Sequence, residues 1–118
     1  MAPRGSKKHL SVLQEDRFAY AFDGVRSPSS GAAITDRGDV RTETELIECK
    51  YAGAYDKPAK SISLKLSDLE KIADEAWSEG RSPVFGLSIY APGSVLANRE
   101  GWVDISARLI GDDPNYAH

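Results

Sequence analysis

The run Gly38 to Tyr51, GDVRTETELIECKY, constrains this chain more than any other. Leu46, Ile47, Cys49 and Tyr51 read as a strand, yet two charges, Glu48 and Lys50, sit inside it. Successive side chains on a strand alternate faces, and residues two apart lie about 6–7 Å from one another on one face. Glu48 and Lys50 therefore project together, while Ile47, Cys49 and Tyr51 project the other way. Asp39 precedes Glu48 by nine positions, at the end of a Gly-containing stretch. Two carboxylates and an ammonium delivered to one place suit a divalent metal held against a phosphate. Oxygen ligands favour Mg²⁺ or Mn²⁺, and a metal can activate water and neutralise phosphodiester charge.

The surrounding elements follow from periodicity. A helix is predicted from Val12 to Asp23, with Ser11 as its cap, Gln14 completing a capping-box spacing and Gly24 ending it. Glu15, Phe18, Ala19 and Phe22 share one face of that helix, which should be buried. A carboxylate on an apolar face is costly without a partner, so Glu15 is a candidate third acid, with Asp16 its neighbour and competitor. Val25–Arg26 can begin a strand, and Ser27 to Gly31 is a loop by composition. Asp39–Thr42 and Glu45–Tyr51 form a strand pair. Ala52 to Lys60 reads as a loop, and Ser61 to Leu66 as a short strand or an extended lead-in.

A second helix is predicted after a Ser67/Glu70 capping box, with Leu69, Ile72, Ala73, Ala76 and Trp77 as its apolar stripe and Gly80 as its C-cap. Trp77 is assigned to the core. Val84–Tyr90 is apolar enough for a central strand, and Trp102–Leu109 alternates as a half-exposed strand. Trp102 belongs either to the core or to a dimer face. The order is helix, three strands, helix, two strands, which implies an α/β fold with a mixed central sheet flanked by helices.

Bulk properties bound the function. A chain of 118 residues that is 41% hydrophobic supports one domain with one core. Residues 1–9 are expected to form a flexible arm and 111–118 a C-terminal tail. No apolar run is long enough for a membrane span. One cysteine builds neither an internal disulfide nor a thiolate metal site. These points favour a soluble intracellular protein without a membrane partner. The only histidines, His9 and His118, lie near the ends, so zinc hydrolysis and a Ser-His-Asp triad are disfavoured. No GxxxxGK phosphate loop occurs. The net charge of −3 does not by itself predict a nucleic-acid partner.

Taken with the Arg26–Ala32 loop and the Arg81–Phe85 segment, the acid followed by Glu-x-Lys resembles the PD-(D/E)XK nuclease superfamily. Within it, the chain is most similar to archaeal-type and phage Holliday junction resolvases over about Leu10 to Leu109. That resemblance implies a restriction-endonuclease-like core, Mg²⁺ (with Mn²⁺ as a substitute) held by Glu15, Asp39 and Glu48, and Lys50 positioning or activating the attacking water. It also implies a flanking serine, Ser30 or equally Ser29. The implied substrate is branched DNA, four-way junctions above all, cut by a homodimer in the cytoplasm of a prokaryotic or phage-infected cell. Gly38 stands where the superfamily's named proline would be. The lack of a glutamine soon after Lys50 counts against a processive exonuclease. The alternatives are a nicking or restriction-like nuclease on branched or duplex DNA, and a non-catalytic nucleic-acid-binding or protein-binding module on the same scaffold. The bland reading of Asp39, Glu48 and Lys50 is a set of exposed turn and strand charges of little energetic weight.

Overall fold

The computed structural model describes residues 7–27 and 39–114. Ser29, Ser30 and Gly38 lie outside the described residues. The elements are α1 (Lys7–Phe22), β1 (Val25–Arg26), β2 (Val40–Arg41), β3 (Glu45–Ala52), α2 (Leu66–Ser78), β4 (Ser82–Tyr90) and β5 (Trp102–Arg108). The strands form one sheet in the order β1-β2-β3-β4-β5. Only β3 and β4 run parallel, joined through α2, and every other neighbouring pair is antiparallel. The mixed α/β sheet flanked by helices matches the expectation from sequence.

The two helices cover opposite faces. Strand alternation sends Ile47 and Cys49 toward α1, where Phe18, Val40, Ile47 and Val84 make one core cluster with Ala19, Phe22 and Cys49 against it. Leu46, Phe85 and Leu87 point the other way and pack with Ile72 and Ala76 of α2. Fully burying a side chain such as Phe85 or Ile72 contributes about 1.5–3 kcal/mol relative to leaving it exposed. These two clusters hold the three layers together.

Several boundaries differ from the sequence expectation. Helix α1 starts at Lys7, so Lys7 to His9 belong to the helix and not to a flexible arm, and Ser11 lies inside it. Gln14 serves no cap. It is 2% exposed, and its amide nitrogen donates to the carbonyls of Lys50 (2.7 Å) and Gly86 (3.1 Å). A buried amide costs free energy unless it is paired, and here the pairing ties α1 to β3 and β4. Asp23, not Gly24, takes the left-handed conformation after α1.

Helix α2 begins at Leu66 with Lys65 at its N-cap and no side-chain cap bond, so the Ser67/Glu70 box does not form. Its other end does follow sequence. Gly80 has a φ of +71°, and the N–H groups of Gly80 and Arg81 reach the carbonyls of Trp77 and Ala76, a Schellman ending. Residues 61–65 are the extended lead-in, with no strand. Trp77 is half-buried at the core's margin, whereas Trp102 is 2% exposed and fully core.

A second tie fixes α1 to the far side of the sheet. Arg17 forms a two-pronged ion pair with Asp104 of β5 (Nε to Oδ2 2.7 Å, an Nη to Oδ1 3.0 Å). The buried Ser88 hydroxyl accepts from Arg17 and donates to Asp104. The guanidinium also lies 5.3 Å from the Trp102 ring centre, a cation–π contact.

Helix α1 packs closely on the sheet at Gly86, where an added Cβ would lie 3.0 Å from the Phe18 ring. Gly86→Ala is therefore expected to destabilise the fold by about 1–3 kcal/mol through overpacking, measured by urea unfolding. Adding Phe18→Leu should recover part of that loss. An unchanged midpoint for Gly86→Ala would show that α1 does not pack this closely.

Candidate functional site

The site forms where β2 stops and β3 continues. Thr42 shapes the turn between them. Its hydroxyl accepts from the N–H groups of Thr44 and Glu45 and donates to the Glu45 carboxylate. Pairing then runs from Arg41↔Leu46 to Val40↔Ile47. Among the described residues β3 has no strand neighbour on its β2 side beyond Ile47, which would leave the part-buried Cys49 N–H without a ladder partner. The Asp39 carboxylate takes that place, accepting the Cys49 N–H at 2.8 Å, while the Asp39 N–H donates to the Ile47 carbonyl. The sheet thus opens into a fork with a carboxylate in its crotch.

Glu15 and Glu48 reach Asp39 from the two faces of the sheet. Glu15 projects from α1, on the side of Ile47 and Cys49. Glu48 lies on the α2 side with Leu46 and Lys50. Burial is the largest cause of the raised pKa of all three acids, and the Asp39 charge adds to it for both glutamates. Glu15 and Glu48 are each pushed up to about 7. The Cys49 thiol, packed toward α1 in their midst, is also pushed up by burial and by these acids. Its position agrees with a small core side chain.

Cations border this acidic centre. Arg26 on β1 bridges both helix acids, 3.7 Å from Glu15 and 3.2 Å from Asp16. Glu15 is the inner of the two, with a side chain 16% exposed against 57% for Asp16. The predicted orientation of Glu15 therefore holds, but both acids share one guanidinium. Lys50 lies 3.5 Å from Asp68 on the first turn of α2. Lys71 offsets the charge at Asp39 and Glu48, and Glu75 adds to it.

Sequence reading weighs Arg26 as a possible phosphate contact and not as the partner of Glu15, and it misses Asp68, Lys71 and Glu75 as neighbours of the site. The last three recur at i, i+3 and i+7 along α2, one charged stripe beside the apolar one, and that spacing was the available signal.

The donor set suits a hard divalent cation: carboxylate oxygens, desolvated and mutually repelling. Among the described residues, however, no group of three or more His, Cys, Asp or Glu is placed so that it could hold a metal ion. Glu15 and Glu48 stand on opposite sides of the sheet, and Glu15 is occupied by Arg26. The arrangement brings Asp39 together with each glutamate without gathering all three.

No protein-family model, no curated protein and no solved structure matches the chain. No helix among the described residues is long and apolar enough to cross a membrane.

The raised glutamates set a pH dependence. In the folded protein each holds its proton up to about pH 7, against about 4.5 ordinarily. Between those values the folded state binds more protons than the unfolded state, so stability falls as pH rises. The metal-free protein is expected to unfold at progressively lower urea concentration from pH 4.5 to pH 7. Glu48→Gln should flatten that slope. A stability that rises across this window would contradict the burial of these acids.

Proposed function

We propose that this protein is a metal-dependent DNA endonuclease of restriction-endonuclease-like architecture, a structure-selective resolvase that cuts four-way junctions as a homodimer. The observation that carries this reading is the fork: Asp39 is fixed by the Cys49 N–H at the point where β2 ends, with Glu15, Glu48 and Lys50 around it. A merely structural carboxylate needs no second and third desolvated acid beside it. Perturbed acids collected at one place are a mark of functional sites.

Asp39 and Glu48 would hold Mg²⁺; the family resemblance adds Glu15, which in this structure stands across the sheet from Glu48 and pairs with Arg26. When bound, the ion supplies charge neutralisation at the phosphate and a more acidic water. The remaining work belongs to the chain. Asp39 is positioned because its carboxylate is held by a backbone N–H, which cannot swing away. Lys50, released from Asp68, orients the attacking water from the same strand face as Glu48. Arg26 would hold Glu15 and Asp16 until a DNA phosphate competes with them for the guanidinium. Ser30 or Ser29 would flank the scissile phosphate.

A non-catalytic binding module on the same scaffold is the second reading, favoured by the Glu15–Arg26 and Lys50–Asp68 ion pairs that occupy two of the proposed catalytic groups. Incubation with labelled four-way junction, duplex, flap and single-stranded DNA, with and without Mg²⁺, separates the readings. Cleavage confined to junctions supports the resolvase, cleavage of duplex supports a nicking or restriction-like enzyme, and binding without cleavage supports the module.

Asp39→Asn keeps an acceptor for the Cys49 N–H and Glu48→Gln keeps volume. Each should lower cleavage at least about a hundredfold, the scale on which losing one preorganised charge-stabilising group shows, with junction binding retained. Glu15→Gln should lose most activity and Asp16→Asn little. Equal small losses for that pair would remove Glu15 from the site.

Mg²⁺ should raise the thermal midpoint at pH 8 more than at pH 5, because protons compete with the ion for the glutamates. This shift should vanish in Glu48→Gln. A Mg²⁺ shift that persists in that variant would place the ion elsewhere.

A further inference from the structure

The outer edge at β5 has the pattern of a self-pairing strand. Among the described residues, β5 is the last strand of the sheet, with β4 on one side only. The register Val84↔Arg108 and the bond from the Leu109 N–H to the Pro83 carbonyl show which residues face inward. Odd-numbered residues direct their backbone groups to β4. Even-numbered residues direct theirs outward, because antiparallel pairs alternate in this way. Trp102 is the first even residue, and Asn98 covers it: its N–H donates to the Trp102 carbonyl, and its side-chain oxygen accepts the Trp102 N–H. That leaves Asp104, Ser106 and Arg108 with outward N–H and C=O groups.

We propose that β5 pairs antiparallel with β5 of a second copy of this chain, on a two-fold axis through Ser106. Two lines select that register. An axis at Ser106 sets Ser106 against its own copy and Asp104 against Arg108, so all three outward residues exchange both backbone bonds with a partner. An axis at Ile105 would leave Arg108 facing Trp102, whose groups Asn98 already holds. The Ser106 register also sets opposite charges directly across the strands twice over, an arrangement that stabilises cross-strand pairs. On the other face Ile105, a large apolar residue left 41% exposed, comes to lie against Ala107.

An edge of this length usually carries like charges, proline or a bulge to prevent pairing. This one carries one acid and one base four residues apart, each facing the opposite charge of the copy, with Asp104 also holding Arg17. The axis is normal to the sheet, so both α1 helices lie on one side of a ten-stranded sheet. The two forks then stand about 30 Å apart along it at the usual strand spacing.

The inference rests on the strand edge and not on the nuclease reading. A dimer without cleavage would sink that reading alone, and junction cleavage by a dimer built elsewhere would sink this one alone. Light scattering on the full chain is expected to give twice the 12.8 kDa protomer mass. Ser106→Pro removes an outward N–H and no bond within the protomer, and proline is tolerated at such edges. Arg108→Glu sets two acids against each other. Both variants should be folded by circular dichroism and monomeric.

Ser106→Cys should crosslink to a dimer on mild oxidation, since hydrogen-bonded opposite residues sit about 5.5 Å apart at Cα, within disulfide range. Ile105→Cys should not, and the native Cys49 is common to both. A monomeric wild type, a dimer that survives Ser106→Pro, a crosslink at 105, or none at 106 would overturn the proposal.

Discussion

The Asp39 carboxylate bonded to the Cys49 N–H is the interaction on which the rest of this molecule depends. It lets β3 continue after β2 has ended without leaving a buried donor unpaired, a loss that would cost about 1–3 kcal/mol. The same bond fixes a charged group in the gap between two strands. Structure and chemistry share one contact: the bond that closes the ladder is the bond that fixes the acid.

The rest of the fold is arranged around that gap. Gln14 anchors α1 to Lys50 and Gly86, so Glu15, one residue on, is carried to the fork's other face. Arg17 anchors the same helix to β5 through Asp104 and to β4 through Ser88. Leu46, on the strand face of Glu48 and Lys50, packs with Ile72 and Ala76, which sets α2 over that face and brings Asp68 to Lys50. Each helix therefore supplies buried polar or apolar contacts that set its position and one or more charges that reach the site. Repulsion among Glu15, Asp39 and Glu48 is tolerated because two well-packed clusters hold the elements in place. Arg26, Lys50 and Lys71 offset part of it.

Much of this was legible along the chain. The order of helices and strands, the split of Glu48 and Lys50 from Ile47 and Cys49, and the inward face of Glu15 all follow from periods of two and of about 3.6, which are local properties of the backbone. Helix starts were not legible. Ser11 and Ser67 have the right chemistry for caps, but α1 extends back to Lys7 and α2 to Leu66. Packing against the sheet outweighs a cap worth about 1 kcal/mol. The spacing of Gln14 suits a capping role, and only the approach of Lys50 and Gly86 reveals its use.

The sequence by itself determined which residues are neighbours on one face, because that depends on dihedral angles a few residues long. It determined a strand bearing Glu48 and Lys50, a helix turning Glu15 inward, and an acid just before the strand pair. Tertiary structure decided how those pieces meet. Glu15 and Glu48 came to opposite sides of the sheet with Asp39 between them, and Arg26 and Asp68 came to pair with the helix acid and the lysine. The open edge of β5 likewise emerged only when β4 took its other side. Sheet order and layer assignment depend on contacts between residues far apart in the chain, and no periodicity encodes them.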